Sequence, residues 1–119
     1  MFYDSTFSGN GMKIVLENLL YANYMFRYSS GVVPNVLSED TFKCPKLVNC
    51  ESMFYEVKNI QKIDSVVLPN CKNSRSMFES NKNLTEVGSV TLDSATEITE
   101  MFASCSNLIR VGAIYAKNC

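Results

Sequence analysis

Tyrosine and arginine gather at Tyr3, Arg27, Tyr28 and Tyr55, each just after a dipeptide that recurs through the chain. Both residue types are favoured in binding hot spots, where a flat face and a polar donor share one side chain. The chemistry they offer is recognition rather than bond making. Catalysis has little to work with. The chain has no histidine, which removes the usual general base and the Ser-His and Cys-His nucleophile pairs. Asp4, Asp40, Asp64, Asp93, Glu39, Glu56, Glu86 and Glu97 supply carboxylates, yet no strained or glycine-rich motif draws two of them together. Cys44, Cys50, Cys71, Cys105 and Cys119 form no C-x-x-C pair and are odd in number, which does not suggest a disulfide framework. A structural zinc site would need four scattered thiolates. The expectation is a non-enzymatic protein with no catalytic residue, no metal and no cofactor.

What must position these side chains is a repeat. Met-Phe occurs at Met1-Phe2, Met25-Phe26, Met53-Phe54, Met77-Phe78 and Met101-Phe102, at intervals of 24, 28, 24 and 24 residues. A fixed period of about 20–50 residues marks solenoids and arrays. With Met as position one, the units beginning at Met53, Met77 and Met101 overlay. Position seven is Asn59, Asn83, Asn107, and position eight is Ile60, Leu84, Leu108. Position eleven is Ile63, Val87, Val111; fourteen is Val66, Val90, Ile114; sixteen is Leu68, Leu92, Ala116. Apolar positions recur about every three residues and then alternate, which fits neither a long helix nor a continuous strand. The pattern predicts a coil of short strands and corners, one turn per unit.

The second unit is longer by four residues, and Gly31, Pro34 and Asn35 put the extra length in a loop near 30–41. In the first unit Ile14-Val15-Leu16 keeps register, while Ser8 and Gly11 stand where core residues are expected. Two readings of that region stay open: a degenerate repeat, or a helix over 12–26 covering the end of the stack. Residues 1–119 therefore read as one solenoid segment, irregular over 1–41 and regular over 42–119, with the last repeat incomplete. A net charge of −1 gives no electrostatic case for nucleic acid. No stretch approaches the roughly 18 apolar residues of a membrane span. The N-terminus lacks a basic leader followed by an apolar core, so no signal peptide is visible.

Met101-Phe102-Ala103-Ser104-Cys105-Ser106-Asn107-Leu108, followed by Val111, resembles the Met-Phe-x-x-Cys-x-x-Leu-x-x-Ile core of the BspA-like leucine-rich repeats. Leu92 to Glu100 resembles the strand and return segment of that repeat. The likeness covers residues 42–119 closely and 1–41 loosely. It departs at the family's cysteine, present only as Cys105, with Ser5, Ser29, Val57 and Asn81 in its place elsewhere. The resemblance implies a leucine-rich-repeat-like coil of about five stacked units, with short parallel strands and turn or short helical corners. It also implies an adhesive, receptor-binding role in a bacterial cell-surface protein or a phage tail or fibre protein, with a protein or glycan as ligand.

Stacked at about 4.8 Å per unit, Phe2, Phe26, Phe54, Phe78 and Phe102 should form one aromatic column. Asn59, Asn83 and Asn107 should form an amide ladder that satisfies corner backbone groups. Position fifteen, Val15, Lys43, Val67, Thr91 and Tyr115, should face outward, and its chemical variety marks a second candidate binding row. Cys71 and Cys119 share a position but lie two units apart, too far for a disulfide. Reduced cysteines packed as small apolar residues are expected; the Cys44 and Cys50 pair lies within one unit and escapes that test. No polar cap follows Ile114-Tyr115-Ala116, so further repeats or a partner subunit are expected to cover that end. A purely structural spacer within a larger particle is the rival function.

Overall fold

The computed structural model of the chain describes residues 13–118, and these form a parallel β-solenoid. Six strands build it: β1 (Ile14–Val15), β2 (Val36–Leu37), β3 (Phe42–Lys43), β4 (Lys62–Val67), β5 (Glu86–Thr91) and β6 (Arg110–Tyr115). One sheet runs β2-β4-β5-β6 and a second pairs β1 with β3, all in parallel. Register follows the 24-residue period, with Ile63 beside Val87 beside Val111, and Val66 beside Val90 beside Ile114. A row of single bridges, Tyr21 to Asn49 to Asn73 to Glu97, closes another side of the coil and counts four stacked levels. None of the described residues is helical, so the corners are turns, and residues 13–26 are a strand and turns rather than a capping helix.

The core is the stack of repeat positions. Phe26, Phe54, Phe78 and Phe102 lie ring on ring, with centroids 5.6, 5.4 and 5.5 Å apart and planes within 7° of parallel. Phe42 meets Phe54 edge-on at 5.3 Å. Phe2, the fifth member expected, lies outside the described residues. The methionines Met25, Met53, Met77 and Met101 are buried too, beside Ile60, Ile63, Val66, Leu68 and their counterparts one coil on. No single coil encloses this apolar surface, so each depends on its neighbours for a core.

The Met-Phe corner owes its shape to hydrogen bonds along the stack. Each pair sits between two residues with positive φ: Tyr24 and Tyr28, Ser52 and Glu56, Ser76 and Ser80, Glu100 and Ser104, all between 52° and 64°. Around Met25-Phe26, the amides of Met25, Arg27 and Ser29 close turns onto Ala22, Tyr24 and Phe26 carbonyls at 3.1–3.3 Å. The alternate amides of Tyr24, Phe26 and Tyr28 donate to the next coil at Glu51, Met53 and Tyr55, at 2.9–3.0 Å. Left-handed backbone costs about 1–2 kcal/mol per non-glycine residue. The axial bonds offset that cost, and they recur at the Met53-Phe54 and Met77-Phe78 corners.

Two other places need local chemistry. The four extra residues of the second unit enter as two insertions. Val36 follows Met25 by eleven residues where Lys62 follows Met53 by nine, and Phe42 follows Val36 by six where Val66 follows Lys62 by four. The second insertion splits one strand into β2 and β3 and loops out Ser38–Thr41, fastened by Thr41 Oγ1 donating to Val36 O at 2.8 Å. The later strands kink at the matching point. Pairing skips Asp64 and Gly88, and a Cβ on Gly88 would collide with the Asp64 carbonyl oxygen, as one on Gly112 would with that of Gly88. Asp64 can carry a side chain because the level before it is looped out.

The cysteines correct one expectation. Cys50 and Cys71 form a disulfide across 6.8 Å between Cα atoms, linking adjacent coils; only Cys44 and Cys105 of the described cysteines are free. Comparing cysteines at equal repeat positions misses this pair, because it is diagonal. Cys50 sits over Ser74, and the turn from Cys71 to Ser74 brings the Cys71 sulfur within 3.4 Å of the Ser74 hydroxyl. Cys119 lies outside the described residues.

Candidate functional site

Arg27, Tyr28 and Tyr55 meet at the Met-Phe corner, and Tyr24 joins them. The Arg27 guanidinium carbon lies 4.6 Å from the Tyr28 ring centre, 5.1 Å from Tyr55 and 5.4 Å from Tyr24. Tyr28 and Tyr55 pack edge to face at 5.8 Å. Nη2 of Arg27 donates to the Tyr28 hydroxyl at 2.8 Å, while its Nε is buried without an acceptor. Tyr3 lies outside the described residues. Tyr24 was the member that sequence reasoning missed: it precedes Met25 and is turned toward Arg27 by its left-handed backbone.

The position-fifteen row lies on the strand side. Val15, Lys43, Val67 and Tyr115 are exposed and Thr91 is half-buried. Val15 pairs with Lys43, and Val67, Thr91 and Tyr115 stack in register. Between these two sets the Ser38–Thr41 loop raises one wall of a groove of about 390 Å³, lined by Glu39, Asp40, Phe42, Lys43, Pro45, Val67 and Pro69. The loop was visible in the sequence, but its acidic pair was not placed beside Lys43, because that requires knowing where the insertion breaks the strand.

The remaining polar groups are accounted for within the scaffold. Asn107 Nδ2 donates to Lys82 O at 2.7 Å and Asn83 Nδ2 to Lys58 O, so each amide caps a carbonyl of the coil before it. Asn59 does likewise to Val33 O at 2.6 Å, and accepts from the Gly31 amide at 2.8 Å. At position five, Asn81 reaches Phe54 O at 2.7 Å and the Cys105 sulfur lies 3.1 Å from Phe78 O. In these two coils position five thus donates to the preceding phenylalanine's carbonyl, whereas Val57 at the same position has no side-chain donor. Burial pushes the Cys105 and Cys44 thiols above their ordinary range, which keeps them protonated and unreactive near neutrality. Hydrogen bonds from the Thr99 hydroxyl and amide hold the Glu97 carboxyl below its usual range.

On the strand, Lys62 faces Asp64 at 3.3 Å and Glu86 at 3.7 Å, Arg110 faces Glu86 at 2.9 Å, and on another side Arg75 faces Glu100 at 3.4 Å. These are exposed pairs of small energetic weight. Among the described residues no cluster of His, Cys, Asp or Glu is arranged to hold a metal ion, and no helix is long and apolar enough to cross a membrane. Fold and surface together define the class: a parallel β-solenoid with varied side chains on two of its sides. Compared with family models, curated proteins and solved structures, the chain matches none of them.

Proposed function

We propose that the chain is a non-enzymatic interaction module, a leucine-rich-repeat-type segment of a bacterial cell-surface or phage tail or fibre protein, which binds a protein or glycan on its strand side. The groove at the Ser38–Thr41 loop is the observation that carries this reading. It places Lys43, an acidic pair and an apolar floor of Pro45, Val67 and Pro69 on a scaffold whose every coil is hydrogen-bonded to the next. Thr91 and Tyr115 continue the same row. Disulfides persist in oxidising surroundings, so the Cys50–Cys71 bond favours the cell-surface placement over a virion assembled in the cytosol. A glycan array and a surface-protein panel probed with the parent chain and with Lys43→Ala and Tyr115→Ala test it. Loss of the bound signal in both variants is expected, and an undiminished signal in both removes the row from the binding face.

A structural role is favoured by one separate observation. Val111 and Ile114 in β6 are 45% and 39% exposed, and Ile109 is 83% exposed, whereas Val87 and Val90 one coil earlier are buried to 1% or less. Such a face suits cover by further repeats or a partner subunit. Protection of β6 amides from exchange in a larger assembly, without protection of Lys43, would favour the spacer reading.

A further inference from the structure

Arg27 is the anomaly among the three arginines. Arg75 and Arg110 have side chains 52% and 74% exposed, and each has a carboxylate within 3.4 Å. Arg27 is half-buried, yet no carboxylate among the described residues pairs with it. Among the described residues three phenol rings and one hydroxyl surround it, and its Nε has no partner. Ring faces attract a guanidinium, at about 0.5–2 kcal/mol per contact, but they do not use its forked N–H donors. A carboxylate does, and commonly with two parallel bonds. The charge is therefore held in a fixed orientation by its aromatic walls, and among the described residues no carboxylate takes its remaining Nη donors, the buried Nε being out of a ligand's reach.

The walls also speak to what carries the carboxylate. Tyr24 stands exposed at the rim, with Tyr28 and Tyr55 half-buried behind it. Flat aromatic faces beside a cation complement a ring that bears an acid group on its edge and C–H bonds on its face. A flexible acidic side chain would engage only the cation. We propose that Arg27, Tyr24, Tyr28 and Tyr55 form a binding site for a carboxylate-bearing sugar. The site lies on the Met-Phe corner rather than the strand side, so its failure would leave the reading of the Lys43 groove standing.

The test is a titration of the full chain at constant ionic strength with galacturonate, N-acetylneuraminate, galactose and glutamate. Tyr24, Tyr28 and Tyr55 are three of six tyrosines in a chain without tryptophan, so a change in tyrosine emission that Tyr24→Ala diminishes reports on the corner, and ligand-observed NMR gives an independent reading. Saturable binding of one or both sugar acids is expected, with none for galactose and glutamate. Arg27→Met should weaken it by about tenfold or more, the value of hydrogen bonds to a charged group. Tyr24→Ala, at an exposed position, should weaken it while leaving the thermal unfolding curve in place, and Lys72→Ala, an exposed cation outside both surfaces, should not change it. If Arg27→Met does not fold, Tyr24→Ala and the comparison of galacturonate with galactose still decide. Equal binding of galactose would show stacking without charge recognition, and equal binding of glutamate would show an acidic-peptide site. Either result overturns the proposal, as does the absence of binding by both sugar acids. Binding that appears only after Asp4→Asn would also overturn it, by identifying an internal acceptor for Arg27.

Discussion

At the scale of single residues, the chain separates support from display. Phe54 and Phe78 have no exposed surface and touch rings on both sides. Truncating one of them removes a core aromatic and breaks a continuous column. Phe78→Ala should therefore cost about 3–5 kcal/mol of stability, measured by denaturant unfolding; near-native stability would contradict its place in the column. Position five shows how a motif residue can have a modest task. Asn81 and Cys105 both reach back to a phenylalanine carbonyl, so Cys105→Ser, which keeps a donor, should be better tolerated than Cys105→Val, which does not. Equal melting temperatures for the two variants would remove that role.

At the scale of elements, the strand and the corner differ in how far sequence could reveal them. The strand's columns were legible, because Ile63, Val87 and Val111, and Val66, Val90 and Ile114, repeat in both identity and spacing, and the register follows them residue for residue. The corner was not. Its left-handed positions hold Tyr, Ser and Glu where glycine or asparagine would be the usual signal. The conformation is imposed by amides bonded to the neighbouring coil, which no local pattern records. The Arg27 cluster was half legible for the same reason: Arg27, Tyr28 and Tyr55 follow the Met-Phe pair, whereas Tyr24 joins only through the turn. The kink in the strand carries its own prediction. Gly88→Ala pushes a methyl group against backbone and should destabilise by about 1–3 kcal/mol, while Asp64→Ala, facing the looped-out Ser38–Thr41, should change stability little. Parallel unfolding curves distinguish the two; equal losses would place the kink elsewhere.

At the scale of the molecule, stability is a property of stacking. The Cys50–Cys71 disulfide joins two coils across a sequence separation of 21 residues, and loop-closure entropy puts the value of such a bond at about 3 kcal/mol. Reduction, or a Cys50→Ser and Cys71→Ser double variant, should lower the denaturant midpoint accordingly without changing the strand content seen by far-UV circular dichroism. An unchanged midpoint would mean the bond adds nothing to the stack. That bond escaped the sequence because it runs between positions nineteen and twenty-two of successive coils, a diagonal contact visible only once the turn between them is known. Function at this scale follows from periodicity. Positions that repeat in identity build the core, and those that vary, at the strand side and beside Arg27, are the ones proposed to meet a ligand.

All of this rests on successive Met-Phe pairs stacking in register. The most direct measurement is the set of through-space NMR contacts among phenylalanine ring protons in the selectively labelled chain. Phe26 to Phe54, Phe54 to Phe78 and Phe78 to Phe102 should each give strong contacts, as expected for centroids 5.4–5.6 Å apart, with none skipping a coil. Missing neighbour contacts, or strong contacts between Phe26 and Phe78, would contradict the stacked coil and the binding surfaces proposed on it.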